Sequence, residues 1–223
     1  MMAAPGLRGI EAVLFDMDGT LVLTEDRTER ALAALLVAVG AAPDDAEIDL
    51  TRFHGVTWAE TGVWLAERYP ALRGVDIAAE LQGRFHETFV DDPPSQVPGA
   101  REAVAAAAAV VPTAIVTSSN RETLALVCDQ LDLHGLVTAT VAAEDCTRSK
   151  PSPQPFTRAA ERLGVDPRSC LVFEDSVAGV QAARAAGAAV IAIGPESGHE
   201  PWLVDYRDLP PGFFAEATRP SDG

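Results

Sequence analysis

The sequence predicts an α/β protein: a parallel sheet covered by helices on both faces, with an all-helical insertion behind its first strand. Three observations carry this. Short apolar runs alternate with helix-like stretches from Ala100 to Ile193, the pattern of strands buried on both faces in a parallel sheet. One further apolar run, Ala12 to Phe15, stands apart near the start. Between the two regions, Val22 to Asp92 carries helical periodicity and capping signals without a convincing strand.

Taken in order, Ala12 to Phe15 leads directly into Asp16-Met17-Asp18-Gly19-Thr20, a strand that ends in two carboxylates one residue apart. In open α/β sheets ligands lie beyond the carboxyl ends of strands. Two carboxylates this close repel unless a cation lies between them or one keeps its proton. Alone, the stretch reads equally well as an Asp-Gly turn after a core strand. Thr24 is placed to cap a helix with an apolar face of Ala31, Leu32, Leu35, Leu36 and Val39 and a stop at Gly40. Thr57-Trp58-Ala59-Glu60 has capping-box form and opens a second helix to Tyr69, which Pro70 ends. A third runs from Asp76 to Val90, and Pro93-Pro94 and Pro98-Gly99 bracket a hinge-like connection.

The texture then changes. A helix from Ala100 to Val110 precedes a strand at Thr113 to Val116, and Ser119-Asn120 caps a helix reaching Leu131. Val137 to Val141 is a strand, and Ser152-Pro153 starts a helix that ends at Gly164. Cys170 to Phe173 is a strand, Val177 to Ala186 a helix stopped by Gly187, and Ala188 to Ile193 the last strand; the tail from Pro210 is expected to be loose.

At 223 residues the chain suits one large domain, or a core with a smaller insertion. Its net charge of −16 argues against nucleic acid and anionic membranes as partners. An anionic substrate therefore needs a local positive centre. Cys128, Cys146 and Cys170 are odd in number and widely spaced, which fits a reduced cytoplasmic setting. Met1 to Gly9 lacks the apolar core of a signal peptide, and the longest apolar run, Ala103 to Val111, falls well short of the ~20 residues of a membrane span. No GxGxxG follows the first strand, which disfavours a dinucleotide site.

The other strand ends decide what the Asp16 turn is for. After Thr113 to Val116 come Thr117, Ser118, Ser119 and Asn120, hydroxyls and free N–H groups at a helix start, which suit an anion as well as a plain cap. After Cys170 to Phe173 come Glu174 and Asp175. Lys150 is the only lysine, the other sixteen cationic residues being arginine, and a compact point charge on a flexible stem suits a phosphate. Carboxylates for a hard cation, donors for phosphate oxygens and one fixed positive charge thus converge. Mg²⁺ is held by one or two carboxylates plus phosphate and water oxygens, which makes Asp16 and Asp175 natural ligands.

DMDGT at Asp16 to Thr20, the hydroxyl motif at Thr117, SKPSPQPF around Lys150, and FEDSVAGVQAARAAG from Phe173 to Gly187 resemble the four motifs of the haloacid dehalogenase superfamily of phosphohydrolases, in order and in spacing. The subgroup indicated is the one holding phosphoglycolate-phosphatase-like and β-phosphoglucomutase-like enzymes. The resemblance implies a Rossmann-like catalytic core of three layers over residues 1–21 and 94–223, with a helical cap over 22–93 that sets specificity. It implies a Mg²⁺-dependent phosphatase acting on a small phosphorylated metabolite. Asp16 is then the nucleophile that becomes an aspartyl phosphate, Asp18 the acid/base, and Lys150, Thr117 and the Ser118 N–H the binders of phosphate oxygens. The cation falls to Asp16, Asp175 and the Asp18 carbonyl, with Glu174 beside them.

Departures bear on the reaction. Leu23 and Gln154 stand where related sequences often carry Asp. Thr28 stands where phosphoglucomutase-like members carry a histidine, and the mutase-like cap arginine is missing from His54-Gly55-Val56-Thr57-Trp58; hydrolysis is therefore favoured over β-phosphoglucomutase-like phosphoryl transfer. A catalytically silent phosphate-binding module is the other alternative, although every motif member is present. In the cap, Arg52, His54 and Trp58 are the candidates for reaching substrate, and His86, His134 and His199 are expected at the surface or in loops. Val22 to Asp92 holds fourteen acidic residues against six arginines, a net of −8, which points to a neutral sugar or polyol monophosphate.

Overall fold

The computed structural model describes residues 7–40, 53 and 56–220. Its six-stranded sheet is wholly parallel. In chain order the strands are β1 (Ala12–Phe15), β2 (Thr113–Val116), β3 (Ala139–Val141), β4 (Cys170–Glu174), β5 (Ala189–Ile193) and β6 (Trp202–Leu203). In space they run β3-β2-β1-β4-β5-β6. The chain leaves β1 in the middle of this order and fills β2 and β3 on one side before β4 to β6 on the other. The order therefore reverses at β1, the place where open sheets gather their ligands.

Alternation along the strands sorts their side chains. Val13, Phe15, Leu171 and Phe173 share one buried cluster, and Leu14, Val172 and Val116 share another on the opposite face. The second is closed by α6 (Gln154–Leu163) and α7 (Val177–Ala186). The first is closed by α4 (Ala100–Ala108) and α5 (Arg121–Gln130), with Phe15 stacked on Phe173 at 5.3 Å. Each large apolar side chain buried this fully contributes about 1.5–3 kcal/mol.

Between β1 and α4 lie α1 (Glu25–Ala38), α2 (Trp58–Arg68) and α3 (Ile77–Asp91). They carry a core of their own, in which Leu32, Leu35, Phe53, Leu65 and Leu81 meet. The capping box at the head of α2 forms as expected: Glu60 N–H donates to Thr57 Oγ1 and Thr57 N–H to Glu60 Oε2. The chain enters and leaves this helical segment side by side, Leu23 N–H donating to Ser95 O at 2.8 Å and Val97 N–H to Leu21 O at 2.9 Å.

Several expectations are corrected. The stretch after Pro210 is not loose: α8 (Phe213–Ala217) buries Phe214 against Phe173, with ring centroids 6.0 Å apart. Backbone hydrogen bonds from Gly9 and Ile10 to the Arg219 and Ala217 carbonyls fix that end of the chain. The two residues of β6 are too few to give a periodicity. His199 lies in a loop, as expected, but is buried there, its Nε2 at 3.1 Å from the Val190 carbonyl. Arg52 and His54 lie outside the described residues. No helix among the described residues is long and apolar enough to cross a membrane.

Candidate active site

Because Asp16 and Glu174 extend the alternation one step beyond Phe15 and Phe173, their carboxylates project on the face covered by α6. The loop before α6 delivers Lys150 there. Lys150 is 1% exposed, and its Nζ donates to Asp16 Oδ1, to Glu174 Oε1 at 2.6 Å and to the Val116 carbonyl at 3.2 Å. The loop is held by Gln154, whose Oε1 accepts from Arg148 N–H at 2.7 Å and Thr147 Oγ1 at 3.1 Å. The amide thus supplies an acceptor at the position where related sequences often carry a carboxylate.

Glu174 is fully engaged. Besides Lys150 on Oε1, its Oε2 accepts from Ser176 N–H at 2.7 Å and Ser176 Oγ at 2.9 Å. Ser176 Oγ in turn accepts from Gly179 N–H and caps α7. A Cβ on Gly179 would stand 1.7 Å from Glu174 Oε1, so only glycine leaves room for this bracket. Gly179→Ala is expected to destabilise the fold by about 3 kcal/mol and to lower turnover with it; an unshifted melting temperature would mean that Glu174 can move away without loss.

Oxygens of Asp16, Glu174 and Asp175 all lie within 4.8 Å of one another, with Asp175 less buried than the other two. An all-oxygen set of this spacing suits a hard divalent cation, and it contains no sulfur or imidazole to favour a softer one. Asp175 Oδ1 also accepts from Thr20 Oγ1 at 3.0 Å. Burial pushes the Asp16 carboxyl up to about 8 against the pull of Lys150, with the charges of Glu174 and Asp18 adding to the rise. Burial lowers the Lys150 ammonium pKa, but Asp16 and Glu174 outweigh it and the net shift is upward. One ammonium among several carboxylates leaves an excess of buried negative charge, which a divalent cation offsets.

Asp18 is arranged differently. Its Oδ1 accepts from Thr24 Oγ1 at 3.0 Å, and its Oδ2 from Thr117 Oγ1 at 3.0 Å and Ser119 Oγ at 2.8 Å. Thr24 occupies the N-cap position of α1 but makes no side-chain cap; its hydroxyl is spent on Asp18. Gly19 turns the chain between Asp18 and Thr20 with φ +76°, a conformation that favours glycine. Thr117, expected as a phosphate donor, has its N–H on the Val141 carbonyl and its hydroxyl between Asp18 and Ser119 N–H.

Asp16, Asp18, Asp175, Ser118 and Ser119 form the floor of a small pocket of about 40 Å³, and Thr24, Thr28, Phe53, Val56, Trp58 and Phe85 form its walls and roof. Trp58, singled out in the sequence, does face the floor residues, and it packs edge-on to Phe85 at 5.4 Å. Ser149, next to Lys150, donates to Glu60 Oε2 of the α2 capping box at 2.5 Å, so the lysine loop touches the roof helix directly. Ser119 and Thr24 read in the sequence as capping or anion-binding hydroxyls rather than as partners of Asp18, and the roof residues Phe53 and Phe85 were not singled out. Hydroxyls near a helix start look like caps, and aromatics on an amphipathic helix look like core.

This combination of fold and strand-end carboxylates defines a class. Residues 10–187 match the haloacid dehalogenase-like hydrolases, and the chain belongs to that family of enzymes. It is 30% identical over 206 residues to hexitol phosphatase B of Escherichia coli, spanning 88% of this chain and 90% of that one. It is 32% identical over 188 residues to a bifunctional riboflavin kinase/FMN phosphatase of Arabidopsis thaliana, covering 81% of this chain and only about half (48%) of the length of that relative. Among solved structures, CbbY from Rhodobacter sphaeroides in complex with phosphate superposes with a TM-score of 0.75 at 25% identity, over 90% of this chain and 96% of that one.

Proposed function

We propose that the protein is a Mg²⁺-dependent phosphatase that hydrolyses sugar or polyol monophosphates through an aspartyl phosphate on Asp16, with residues 22–93 as the specificity cap over a core of 1–21 and 94–223. The observation that carries this is the division of labour between the two aspartates. Asp16 is bracketed with Lys150 and Glu174 in the buried floor, and Asp18 is aimed by three hydroxyls at the same pocket.

Asp16 forms a bond to phosphorus as the bond from phosphorus to the leaving oxygen breaks. Asp18 gives that oxygen a proton, then takes one from the water that attacks the phosphoryl group and releases phosphate from Asp16. Lys150 holds the attacking carboxylate in place and offsets phosphoryl charge, and Thr117 and the Ser118 N–H are placed to bind oxygens once Thr117 turns from Asp18. Asp16, Asp175 and the Asp18 carbonyl, beside Glu174, would hold Mg²⁺, which would supply charge neutralisation. Thr28 on the pocket wall supports hydrolysis over mutase-like transfer, which relies on a histidine at that position in the enzymes this chain resembles. Free cysteines at Cys128, Cys146 and Cys170 support a cytoplasmic setting.

The acidic cap and a pocket wall of threonines and serines below an aromatic roof support a substrate rich in hydroxyls and poor in further negative charge. The test is a metabolite panel with Mg²⁺. Hexitol and hexose phosphates are expected to be hydrolysed at least about tenfold more efficiently in kcat/KM than phosphoglycolate, a difference of about 1.4 kcal/mol. A preference for phosphoglycolate defeats the substrate class, interconversion of phosphate isomers favours the mutase reading, and binding without hydrolysis favours the silent module.

A further inference from the structure

Tyr206 lies in the stretch after β6 that the sequence pattern leaves unexplained. Its side chain is 4% exposed and packs on the ring of Phe173 at 5.3 Å and of Phe15 at 6.2 Å. Those are the residues immediately before Glu174 and Asp16. Its hydroxyl is buried and has no hydrogen-bond partner. A buried phenol is ordinarily paired, and a plain core position here would be filled as well by phenylalanine.

The hydroxyl also lies within the electrostatic reach of Asp16, Asp175 and Glu174, whose charges add to burial in pushing the Tyr206 phenol well above its ordinary value. It is thus a permanent proton donor on the Phe173 side of the carboxylate cluster. Lys150 serves the cluster from the opposite side, over the ring of Phe156 at 5.2 Å. A donor without an acceptor, beside carboxylates suited to a hydrated cation, marks a second shell.

We infer that Tyr206 is a positioning residue for the cation site, its hydroxyl donating to the carboxylate and water shell of a divalent ion held by Asp16 and Asp175. The inference rests on the cation-dependent reading above. The test compares the full chain and Tyr206→Phe, a substitution that keeps the ring and its packing. Mn²⁺ alone is titrated and followed by electron paramagnetic resonance, and melting temperatures are measured in chelator.

Loss of an outer-shell partner weakens metal binding about 10- to 100-fold, so the variant is expected to bind Mn²⁺ that much more weakly. In chelator its melting temperature is expected to equal or exceed that of the wild type, because an unpaired hydroxyl has been removed. Equal Mn²⁺ affinity in the two proteins overturns the role of Tyr206 and leaves the cation site standing. Failure of the wild type to bind Mn²⁺ at all overturns the cation-dependent reading itself, and this inference with it.

Discussion

Asp16→Asn is expected to abolish turnover of a generic aryl phosphate, by at least about 10⁴-fold as when nucleophiles are removed elsewhere, while the protein stays folded. The amide keeps the shape of the side chain but cannot displace the leaving oxygen. The fold is expected to survive because Asp16 sits at a strand end in an overfilled cluster of negative charge. Its carboxyl is pushed up to about 8 by burial, so the fold already disfavours the ionised form, and a neutral amide costs it little and leaves Lys150 paired with Glu174 at 2.6 Å. Steady-state hydrolysis with Mg²⁺ and a thermal melt of both proteins check the two halves. Undiminished hydrolysis removes the nucleophile from Asp16, and a collapsed melt shows that its charge is needed for folding.

The same cluster shows how far the sequence carries. Asp16, Thr117 and Glu174 were legible because each follows a buried apolar run and strands in parallel must deliver their ends to one edge, and Lys150 because it is the only lysine of the sequence. The strand alternation even fixes that Asp16 and Glu174 share a face, since Phe15 and Phe173 share the other. What could not be read was how hydroxyls are shared. Thr24 has the position of a helix cap yet its hydroxyl donates to the half-buried Asp18 carboxylate across a turn, a charge-assisted bond stronger than one between neutral groups. Nor could the end of the chain be read. Two residues of strand and five of helix hold too little periodicity, although they bring Tyr206 and Phe214 under the floor of the site. A glycine at position 179, inside a helix, signals a close approach of some neighbour. The partner that makes it necessary, the Glu174 carboxyl, lies in the preceding strand and is visible only in three dimensions.

Lys150→Met should show a second large effect, this time on both stability and activity. Methionine fills most of the volume of the lysine stem and keeps its contact with Phe156, so the loss isolates the ammonium. Among the described residues Lys150 is the one cation bonded to both Asp16 and Glu174, and removing one partner of a buried ion pair typically costs about 3–5 kcal/mol. The sign of the pH dependence follows from Asp16. A carboxyl raised from 3.8 to about 8 in the fold favours folding most when it is protonated in both states, and stabilises the fold less as pH climbs between those values. Lys150 is the influence that lowers it. Without the ammonium the rise is greater, so the deficit of Lys150→Met is expected to stay level up to about pH 7, where the carboxyl is protonated in both folds, and to widen as pH climbs from about 7 to about 9. Denaturant titrations of the two proteins in chelator across that range measure it directly. A deficit that stays constant with pH would mean that Lys150 stabilises the fold by packing alone. Turnover of the variant is expected to fall with its stability and to stay low when added Mg²⁺ restores the fold, because the divalent ion offsets the excess charge of the cluster but does not hold Asp16 from the α6 side.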